Sequence, residues 1–494
     1  MISFLISVFA LIIGYWIYGG LMAKKICPAD PHAVTPAIAK ADGMDYVAMP
    51  AWKIYMIQFL NIAGTGPIFG AIMGAKFGPS CYLWIVFGCI FAGAVHDFLS
   101  GMISLKNGGV GLPDIIGQYL GNAVKIGMLW FTVLLMVLVG AVFVYSPALI
   151  LGDIAGFLGT KTASVFAWAG VIFVYYIIAT LLPIDKIIGR VYPLFAFALI
   201  FMALALFVCL LGRWPSLREF WQGLGHRGPE IGQLGQSIFP CLFITVACGA
   251  ISGFHATQSP LMARCMTSQK QGRPIFYGAM ITEGIVGLIW AAIGSYFFFD
   301  GGMAEVGATS GQAPVVVTSV AKSWIGLVGG ILAILGVVAA PITSGDTALR
   351  SARLILADFL HLDQMKKANR LAICVPMFAL VALVLWFNVA DEDGFNTIWR
   401  YFGWANQSLA CFTLWALTAW LGRRKSHVYL VTLIPACFMT SVCLTYICVN
   451  KIGFNMPDAW IPYIAVLTAV VSAVLFYVLR NKKHLTQLDP EAWS

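Results

Sequence analysis

Four ionisable side chains lie inside long apolar stretches of the sequence, where they could bind or transfer an ion. His96 and Asp97 are adjacent, His255 follows a Ser-Gly-Phe run, and Glu283 lies in Ala-Met-Ile-Thr-Glu-Gly. A charge buried among apolar groups is costly, so each acid needs a reason to be there. For Asp97 and Glu283, proton or ion binding is one hypothesis, and a carboxylate bonded to neighbouring helix ends is an equal one. Either histidine could switch charge near neutral pH, although a hydrogen-bonded buried imidazole is commoner.

A second group of candidates carries hydroxyl oxygens instead of charges. Thr343 and Ser344 closely precede Asp346 in an apolar stretch. Hydroxyls beside unwound backbone carbonyls would form an oxygen-only site that suits a small hard cation such as sodium. The alternative, which the sequence favours slightly, is that both hydroxyls bond back to their own helix. Asp346 and Arg350 have the i, i+4 spacing that predicts a structural ion pair.

The sequence indicates no other metal or cofactor. The 12 cysteines form no Cys-x-x-Cys pair and no Cys/His cluster with the spacing of a metal site. Walker, His-Glu-x-x-His and Gly-x-Ser-x-Gly motifs are also absent. We therefore expect no enzyme, and no bound group beyond a coupling proton or a sodium ion at Thr343 and Ser344. Without a nucleotide-binding domain, the remaining energy source is an ion gradient.

The composition identifies the solvent that must surround these residues. Of 494 residues, 60% are hydrophobic and 10% are charged, against about 25% charged in an ordinary soluble domain. Such a chain cannot cover a water-exposed surface with polar groups, so the lipid bilayer is its expected environment. The net charge of +9 does not indicate a nucleic-acid partner, because membrane proteins carry excess lysine and arginine on cytoplasmic loops.

Apolar runs predict an all-α polytopic protein with about 13 transmembrane helices. Most lysines and arginines fall in alternate loops, which places the N-terminus outside and the C-terminus in the cytoplasm. A basic segment after Asp346 belongs to this set, and we interpret it as a solvated positive-inside loop in preference to an amphipathic segment at the membrane surface. It contains Arg350, Arg353, Lys366 and Lys367. The predicted spans lie near 1 to 23, 52 to 75, 80 to 105, 124 to 150, 163 to 182, 190 to 212, 235 to 262, 275 to 299, 324 to 345, 371 to 388, 398 to 421, 427 to 449 and 459 to 480.

Two of these spans contain residues that interrupt a continuous helix. The run Asn-Ile-Ala-Gly-Thr-Gly-Pro at 61–67 and the run Cys-Gly-Ala-Ile-Ser-Gly-Phe-His at 248–255 place glycines in mid-span, the first with a proline. Either interruption alone could equally be a harmless kink. Each, however, opens a set of five spans, 52–212 and 235–421. Because five is odd, the two sets enter the membrane from opposite sides.

This arrangement predicts an inverted-topology repeat, in which the broken helices meet near the membrane midplane and bind substrate. Residues 1–23 would add one N-terminal helix to this 5+5 core, and residues 427–480 would add two C-terminal helices. Half-helix N-termini at the breaks would face a carboxylate on the substrate. The candidate substrate-binding residues are Asn61, Gly64, Thr65, Gly66, Gly249, Ser252, Gly253 and His255.

Six short motifs carry a family resemblance: Thr35-Pro36, Asp42 to Tyr46, Ala63 to Pro67, Gly93 to Phe98, Ser252 to His255, and Pro341 to Arg350. They resemble the carbon starvation protein A (CstA) family. The resemblance implies a leucine-transporter-like fold of the amino acid/polyamine/organocation superfamily. It also implies a bacterial inner-membrane transporter for peptides or pyruvate, induced on nutrient limitation. In related folds a sodium site lies between the first broken helix and hydroxyls that correspond here to Thr343 and Ser344.

The resulting hypothesis is a secondary active transporter that imports a small peptide or a small carboxylate such as pyruvate. Coupling would use a cation near Ala63, Thr343 and Ser344, or protonation of Asp97, Glu283 or the histidine at the second break. A nutrient sensor with the same fold is the main alternative, and a membrane-embedded enzyme is a weaker one. The expected partners are the solute and the lipid bilayer, and the sequence indicates no oligomeric state.

Overall fold

Helices account for the regular structure of this chain. Within the residues that the computed structural model describes there are helices and loops and no β-strand, which confirms the all-α prediction. Helices are expected because lipid offers the backbone no hydrogen-bond partner, so a spanning segment must satisfy its own N–H and C=O groups. The predicted boundary at residue 235 lies outside the described residues. The described ranges are 1–154, 160–181, 188–225, 237–299, 301–308, 311–364, 366–390, 394–423 and 427–480.

The N-terminal half contains one sharply bent helix pair among longer helices. This pair, Ala51–Ile62 and Gly66–Phe77, bends by 53° at the first predicted break. A short helix with proline in its first turn, Leu112–Leu120, precedes the longest helix of this half. The elements are α1 (Ile2–Leu21), α2 (Ala51–Ile62), α3 (Gly66–Phe77), α4 (Ser80–Lys106), α5 (Leu112–Leu120), α6 (Asn122–Ile154), α7 (Lys161–Leu181) and α8 (Ile188–Arg213).

The C-terminal half also begins with a broken helix. Its longest element is kinked at Gly326, where φ is +76°. The elements are α9 (Ile238–Thr245), α10 (Gly253–Ala263), α11 (Gln269–Phe299), α12 (Ala313–Phe359), α13 (Lys367–Ala390), α14 (Gly394–Gly422), α15 (Leu430–Val449) and α16 (Ile461–Arg480).

Fewer helices meet a simple length and hydropathy test than the sequence predicts. In the described part of the chain, nine helices are long and apolar enough to cross a membrane, and the bent pair α2 and α3 raises this to ten. The predicted spans at 235 to 262, 324 to 345 and 398 to 421 are not among them. The first is divided into two short helices, and the last carries the polar pair Asn406 and Gln407. The predicted count of about 13 is therefore not confirmed.

Burial separates central helices from peripheral ones. In α4 and α11, 83% and 89% of an 18-residue apolar stretch is buried, whereas the figure for α16 is 11%. Helix α4 packs against both α10 and α11. Polar groups on these three helices therefore lie in the interior of the bundle, and α16 presents most of its surface to the surroundings.

Candidate functional site

Both predicted helix breaks are present. Helix α2 ends before Ala63, which has non-helical angles (φ −80°, ψ 52°), and α3 begins at Gly66. Helix α9 ends at Thr245 and is followed by an unwound stretch, residues 246–252, in which Gly249 has a φ of +89°. That conformation favours glycine because a Cβ atom would be strained there. All residues of both breaks are buried, as unwound backbone at membrane depth requires.

The two breaks lie against each other. A Cβ atom placed on Gly66 would lie 2.3 Å from the sulfur of Cys248, and one placed on Gly249 would lie 3.7 Å from the Cβ of Pro67. Position 66 therefore requires glycine, since any side chain would collide with Cys248. The structure thus brings together two segments that are far apart in the sequence.

A chain of four buried ionisable side chains ends on the second break. One carboxylate oxygen of Asp97 lies 2.7 Å from His96 Nδ1, and the other lies 2.9 Å from His255 Nδ1. The Nε2 atom of His255 lies 3.5 Å from Glu283 Oε2, and Glu283 Oε1 accepts a hydrogen bond from the Gly249 N–H at 3.0 Å. All four side chains are fully buried. One line of polar atoms therefore joins α4, α10 and α11 to unwound backbone.

This row of four side chains can hold a proton in more than one place. When Nδ1 of His255 donates to Asp97, its Nε2 directs a lone pair towards Glu283. A proton between these two groups belongs either to Glu283, which leaves both neutral, or to His255, which forms an ion pair. Among the described residues, neither His255 Nε2 nor Glu283 Oε2 has a hydrogen-bond partner. The pair can therefore hold one proton in either of two positions without a change in its net charge, in an environment where net charge is costly.

Cys248 extends this cluster towards the first break. Its sulfur, a ring nitrogen of His255 and a carboxylate oxygen of Glu283 lie within 4.8 Å of one another. Thiolate, imidazole and carboxylate form a donor set that transition metals accept. The sequence predicts no metal other than sodium, and it could not reveal this grouping because the three residues come from separate elements of the fold.

Sequence reasoning missed Asn406 on α14, which fixes the start of α10. Its side-chain oxygen accepts a hydrogen bond from the Phe254 N–H at 2.7 Å, and its amide nitrogen donates to the Ser252 hydroxyl at 2.9 Å. A Cβ atom at Gly253 would lie 2.3 Å from the backbone oxygen of Asn406, so the two helices approach closely. One of the half-helix N–H groups predicted to face substrate is therefore bonded to the protein itself. The adjacent amides of Asn406 and Gln407 in an apolar run were the available signal.

At the first break, the two predicted sodium ligands differ. The Ser344 hydroxyl donates to the Leu60 carbonyl in α2 at 3.2 Å and would lie 3.2 Å from a Cβ atom at Gly64. The Thr343 hydroxyl instead bonds back to two carbonyl groups of its own helix, at 3.0 and 2.9 Å. Ser344 therefore faces the break, whereas Thr343 adopts the alternative conformation that the sequence slightly favours.

Several side chains near the first break have buried polar atoms without a partner in the described part of the chain. They are both amide atoms of Gln58, the amide nitrogen of Asn61 and the hydroxyl of Thr65. The Asn61 oxygen accepts a hydrogen bond from Thr347 at 3.3 Å. Buried polar atoms normally have partners, so these groups are available to a ligand. Asn61 and Thr65 are predicted substrate-binding residues, and Gln58 extends that set by one helical turn.

A second buried cluster lies where the loop before α2 meets α12. The Asp45 carboxylate lies 3.4 Å from the guanidinium groups of both Arg350 and Arg353, and both arginines are fully buried. The interpretation of these two arginines as part of a solvated loop is therefore wrong. It holds for Lys366 and Lys367, which are exposed.

Asp346, on the same helix, uses a different partner from the one that its spacing predicts. Its carboxylate accepts a hydrogen bond from the Tyr192 hydroxyl at 2.5 Å, and Tyr192 also contacts the Thr343 carbonyl at 3.2 Å. Arg350 makes its ion pair with Asp45 and donates to the Ala179 carbonyl at 2.7 Å. The helix α12 is thereby tied to α7, to α8 and to the loop before the first break.

Known proteins resemble this chain along most of its length. The family model for carbon starvation protein CstA matches residues 1–151, 148–326 and 327–446. An uncharacterized membrane protein of Haemophilus influenzae is 45% identical over 60% of this chain and 91% of that protein. In Escherichia coli, peptide transporter CstA is 27% identical over 93% of this chain and 82% of its own. The pyruvate/proton symporter BtsT of the same organism is 25% identical over 89% and 80%.

The fold also resembles that of a solved transporter. A crystal structure of a histidine-to-alanine variant of the Eremococcus coleocola manganese transporter has a TM-score of 0.56 over 89% of this chain and 98% of that one. With 12% sequence identity, this likeness concerns the fold alone. The apolar helices and the membrane-protein relatives establish a multi-pass membrane protein. Since the family model spans nearly the whole sequence, the chain belongs to the carbon starvation protein CstA family.

Proposed function

We propose that this protein is a proton-coupled secondary transporter that imports a small carboxylate-bearing solute across the bacterial inner membrane. The observation that carries the proposal is the buried chain from His96 through Asp97, His255 and Glu283 to the amide of Gly249. This row of side chains links the unwound backbone of the second break to groups that can exchange a proton. Transporters with broken helices bind substrate and coupling ions at such unwound backbone.

The architecture that we propose is a 5+5 inverted repeat, residues 52–212 and 235–421, among about 13 transmembrane helices. It is supported by one helix break in each set and by the contact between Gly66 and Cys248 at the breaks. The distribution of basic residues supports an external N-terminus and a cytoplasmic C-terminus.

The proposed solute is a short peptide or pyruvate. Both solutes appear in the names of relatives, and both carry a carboxylate. The unpartnered polar atoms of Gln58, Asn61 and Thr65 supply hydrogen-bond donors on one side of the breaks. The N-terminus of α3, which follows directly, carries a partial positive charge that favours an anion.

In the proposed cycle, protonation of Glu283 changes the strength of its hydrogen bond to the second break. An ionised carboxylate is a stronger hydrogen-bond acceptor than a protonated one. The ionised state of Glu283 therefore holds the Gly249 N–H firmly, and the protonated state weakens this bond. A proton that arrives through Asp97 and His255 thus alters the backbone beside the solute, which couples proton binding to alternating access.

Uptake into proteoliposomes tests this function. The purified protein is reconstituted, a pH or a sodium gradient is imposed, and accumulation of labelled dipeptides and of pyruvate is measured. We expect accumulation with an inward proton gradient and none with a sodium gradient alone. Solute that binds without accumulating under either gradient would favour the sensor, and solute recovered in chemically altered form would favour an enzyme.

Two separate aspartates, one buried and one half-exposed, provide the test variant and its matched control for this assay. Asp97→Asn removes the buried charge between the two imidazoles, so proton-driven uptake should fall at least about 100-fold, which corresponds to about 2.7 kcal/mol. Asp114→Asn removes a half-exposed carboxylate that pairs with Lys125 at 2.6 Å, and uptake should change less than twofold. Full proton-driven uptake by Asp97→Asn would contradict the proposal.

Sodium coupling is the second candidate, because Ser344 faces the first break. Its hydroxyl and the Leu60 carbonyl, 3.2 Å apart, are oxygen ligands of the kind that sodium accepts. Accumulation that follows a sodium gradient and is lost in Ser344→Ala would establish this alternative.

A further inference from the structure

A groove on the outside of the bundle has the chemistry of a lipid site. It encloses about 530 Å³ between the end of α5 and the last turns of α14 and α16, a volume typical of pockets that hold one small ligand. Two arginines, Arg423 and Arg480, complete a lining that is otherwise mainly apolar. The apolar part includes Leu120, Val124, Trp415, Phe476 and Leu479.

The groove opens on a surface that faces lipid. Leu475 and Leu479 line it, yet they are 53% and 50% exposed. They lie on α16, whose apolar side chains are mostly unburied. In a bilayer such side chains contact acyl chains. A lipid molecule can therefore reach the groove from the side.

Each arginine lies over an aromatic ring. The guanidinium carbon of Arg423 is 4.6 Å from the ring centre of Tyr119, and that of Arg480 is 4.3 Å from the ring centre of Tyr429. Each guanidinium group also donates one hydrogen bond to a backbone carbonyl. Among the described residues, the ion pairs include neither arginine. Two positive charges are thus positioned beside an apolar groove with donors left over.

We propose that this groove binds an anionic phospholipid. Arg423 and Arg480 bind its phosphate, and an acyl chain occupies the apolar lining. Charge complementarity selects this occupant, because basic pockets between membrane helices bind anionic headgroups. The sequence adds basic residues of the same sign directly after both helices, Arg424 and Lys425 after α14 and Lys482 and Lys483 after α16. The bound lipid ties α16 to α14 and α5, whatever solute the protein carries.

Native mass spectrometry of the full chain tests this site. The protein is equilibrated with equal amounts of phosphatidylglycerol and phosphatidylcholine in mixed micelles, and the lipids retained on the folded protein are counted. We expect phosphatidylglycerol to be retained at least about tenfold in preference, and Arg423→Gln with Arg480→Gln to abolish that preference. Equal retention of both lipids, or an unchanged preference in the double variant, would overturn the proposal.

Two further variants separate the groove from general attraction to positive charge. Lys322→Gln with Lys451→Gln removes two exposed positive charges that do not line the groove, so the preference should persist. Ser472→Phe fills the groove and keeps both arginines, so retention should fall at least about tenfold. Unchanged retention in Ser472→Phe would show electrostatic attraction without a groove site. Crosslinks between cysteines introduced at position 472 of two copies would instead assign the groove to a second copy of the chain. Each variant is first shown to be folded by its thermal midpoint.

Discussion

The protein buries two clusters of charge, and their composition differs. Around the second break, Asp97 and Glu283 face two imidazoles, so the cluster can gain or lose a proton without leaving a fixed charge stranded. Between the loop before α2 and α12, Asp45 faces two guanidinium groups. An arginine stays protonated in a protein.

This difference in composition determines which cluster can change its protonation state. A cluster of carboxylates and imidazoles can adopt more than one protonation state, whereas the guanidinium groups of the other cluster stay protonated. The first is therefore the cluster that the proposed proton coupling uses. The second fixes the position of α12, because separating its charges would leave them uncompensated in the interior. We therefore expect substitutions in the Asp45 cluster to lower stability and substitutions in the Glu283 cluster to lower transport.

The largest effect should come from removing the one acid of the structural cluster. Asp45→Asn removes the carboxylate that lies 3.4 Å from both Arg350 and Arg353, so two buried guanidinium groups each lose an ion pair and the free energy of unfolding should fall by about 3 to 5 kcal/mol. Thermal unfolding of the purified protein measures this loss. Asp30→Asn, at an exposed position, should leave the midpoint unchanged. Adding Arg353→Met should restore part of the loss, and an unchanged midpoint in Asp45→Asn would contradict a structural role for this cluster.

The next effect should appear in transport and not in stability. Glu283→Gln keeps an oxygen that can accept the Gly249 N–H but cannot be ionised. Net accumulation under a proton gradient should therefore fall about 100-fold, or about 2.7 kcal/mol. Exchange of labelled for unlabelled solute, which moves no net proton, should continue. The midpoint should shift little. If exchange and accumulation fail together while the protein stays folded, Glu283 binds solute and does not carry a proton.

A smaller effect should follow from uncapping α10. Asn406→Ala leaves the Phe254 N–H buried without a partner, which costs about 1 to 3 kcal/mol. Asn406→Asp keeps the accepting oxygen and should retain most of the stability. The two midpoints, measured together with uptake, show whether the start of α10 needs only an acceptor. Equal midpoints for Asn406→Ala and the unmodified protein would mean that this hydrogen bond is not made.

The smallest effects should arise at the hydroxyls near the first break. Ser344→Ala removes a bond to Leu60, and Thr343→Ala removes only bonds within α12, so each should cost about 1 kcal/mol or less. Proton-driven uptake should change less than about threefold in both variants. A large loss confined to Ser344→Ala and dependent on sodium would move the coupling site from the second break to the first.

Much of this arrangement follows from local sequence. Gly66 and Pro67 interrupt a continuous helix, and so do Gly249 and Gly253. Both breaks can therefore be located from the sequence. Buried acids are rare enough in apolar runs that Asp97 and Glu283 attract attention without a structure. Their shared contact with His255 could not be read from spacing, because α4, α10 and α11 meet only in the folded protein.

Contacts between distant positions account for what sequence reasoning missed. The position of Asp45 before α2 carries no signal that its partners lie on α12, about 300 residues later. A separation of 152 residues likewise conceals the bond between Asn406 and the start of α10. A count of basic residues places Arg350 and Arg353 in a loop, because basic residues usually lie there. Such a count takes no account of Asp45, the buried acid whose ion pairs offset the cost of burying both arginines.

The buried pair of His255 and Glu283 also bears on how far the cell could concentrate a solute. If the proposed coupling uses this one pair, one proton crosses the membrane with each solute molecule. For an anion such as pyruvate, that stoichiometry moves no net charge, so the ceiling on accumulation is tenfold for each pH unit, about 1.4 kcal/mol. For a neutral dipeptide the membrane voltage adds about 2.3 kcal/mol per 100 mV, a further factor of about 50. The same buried pair would therefore favour peptides wherever voltage dominates the proton gradient.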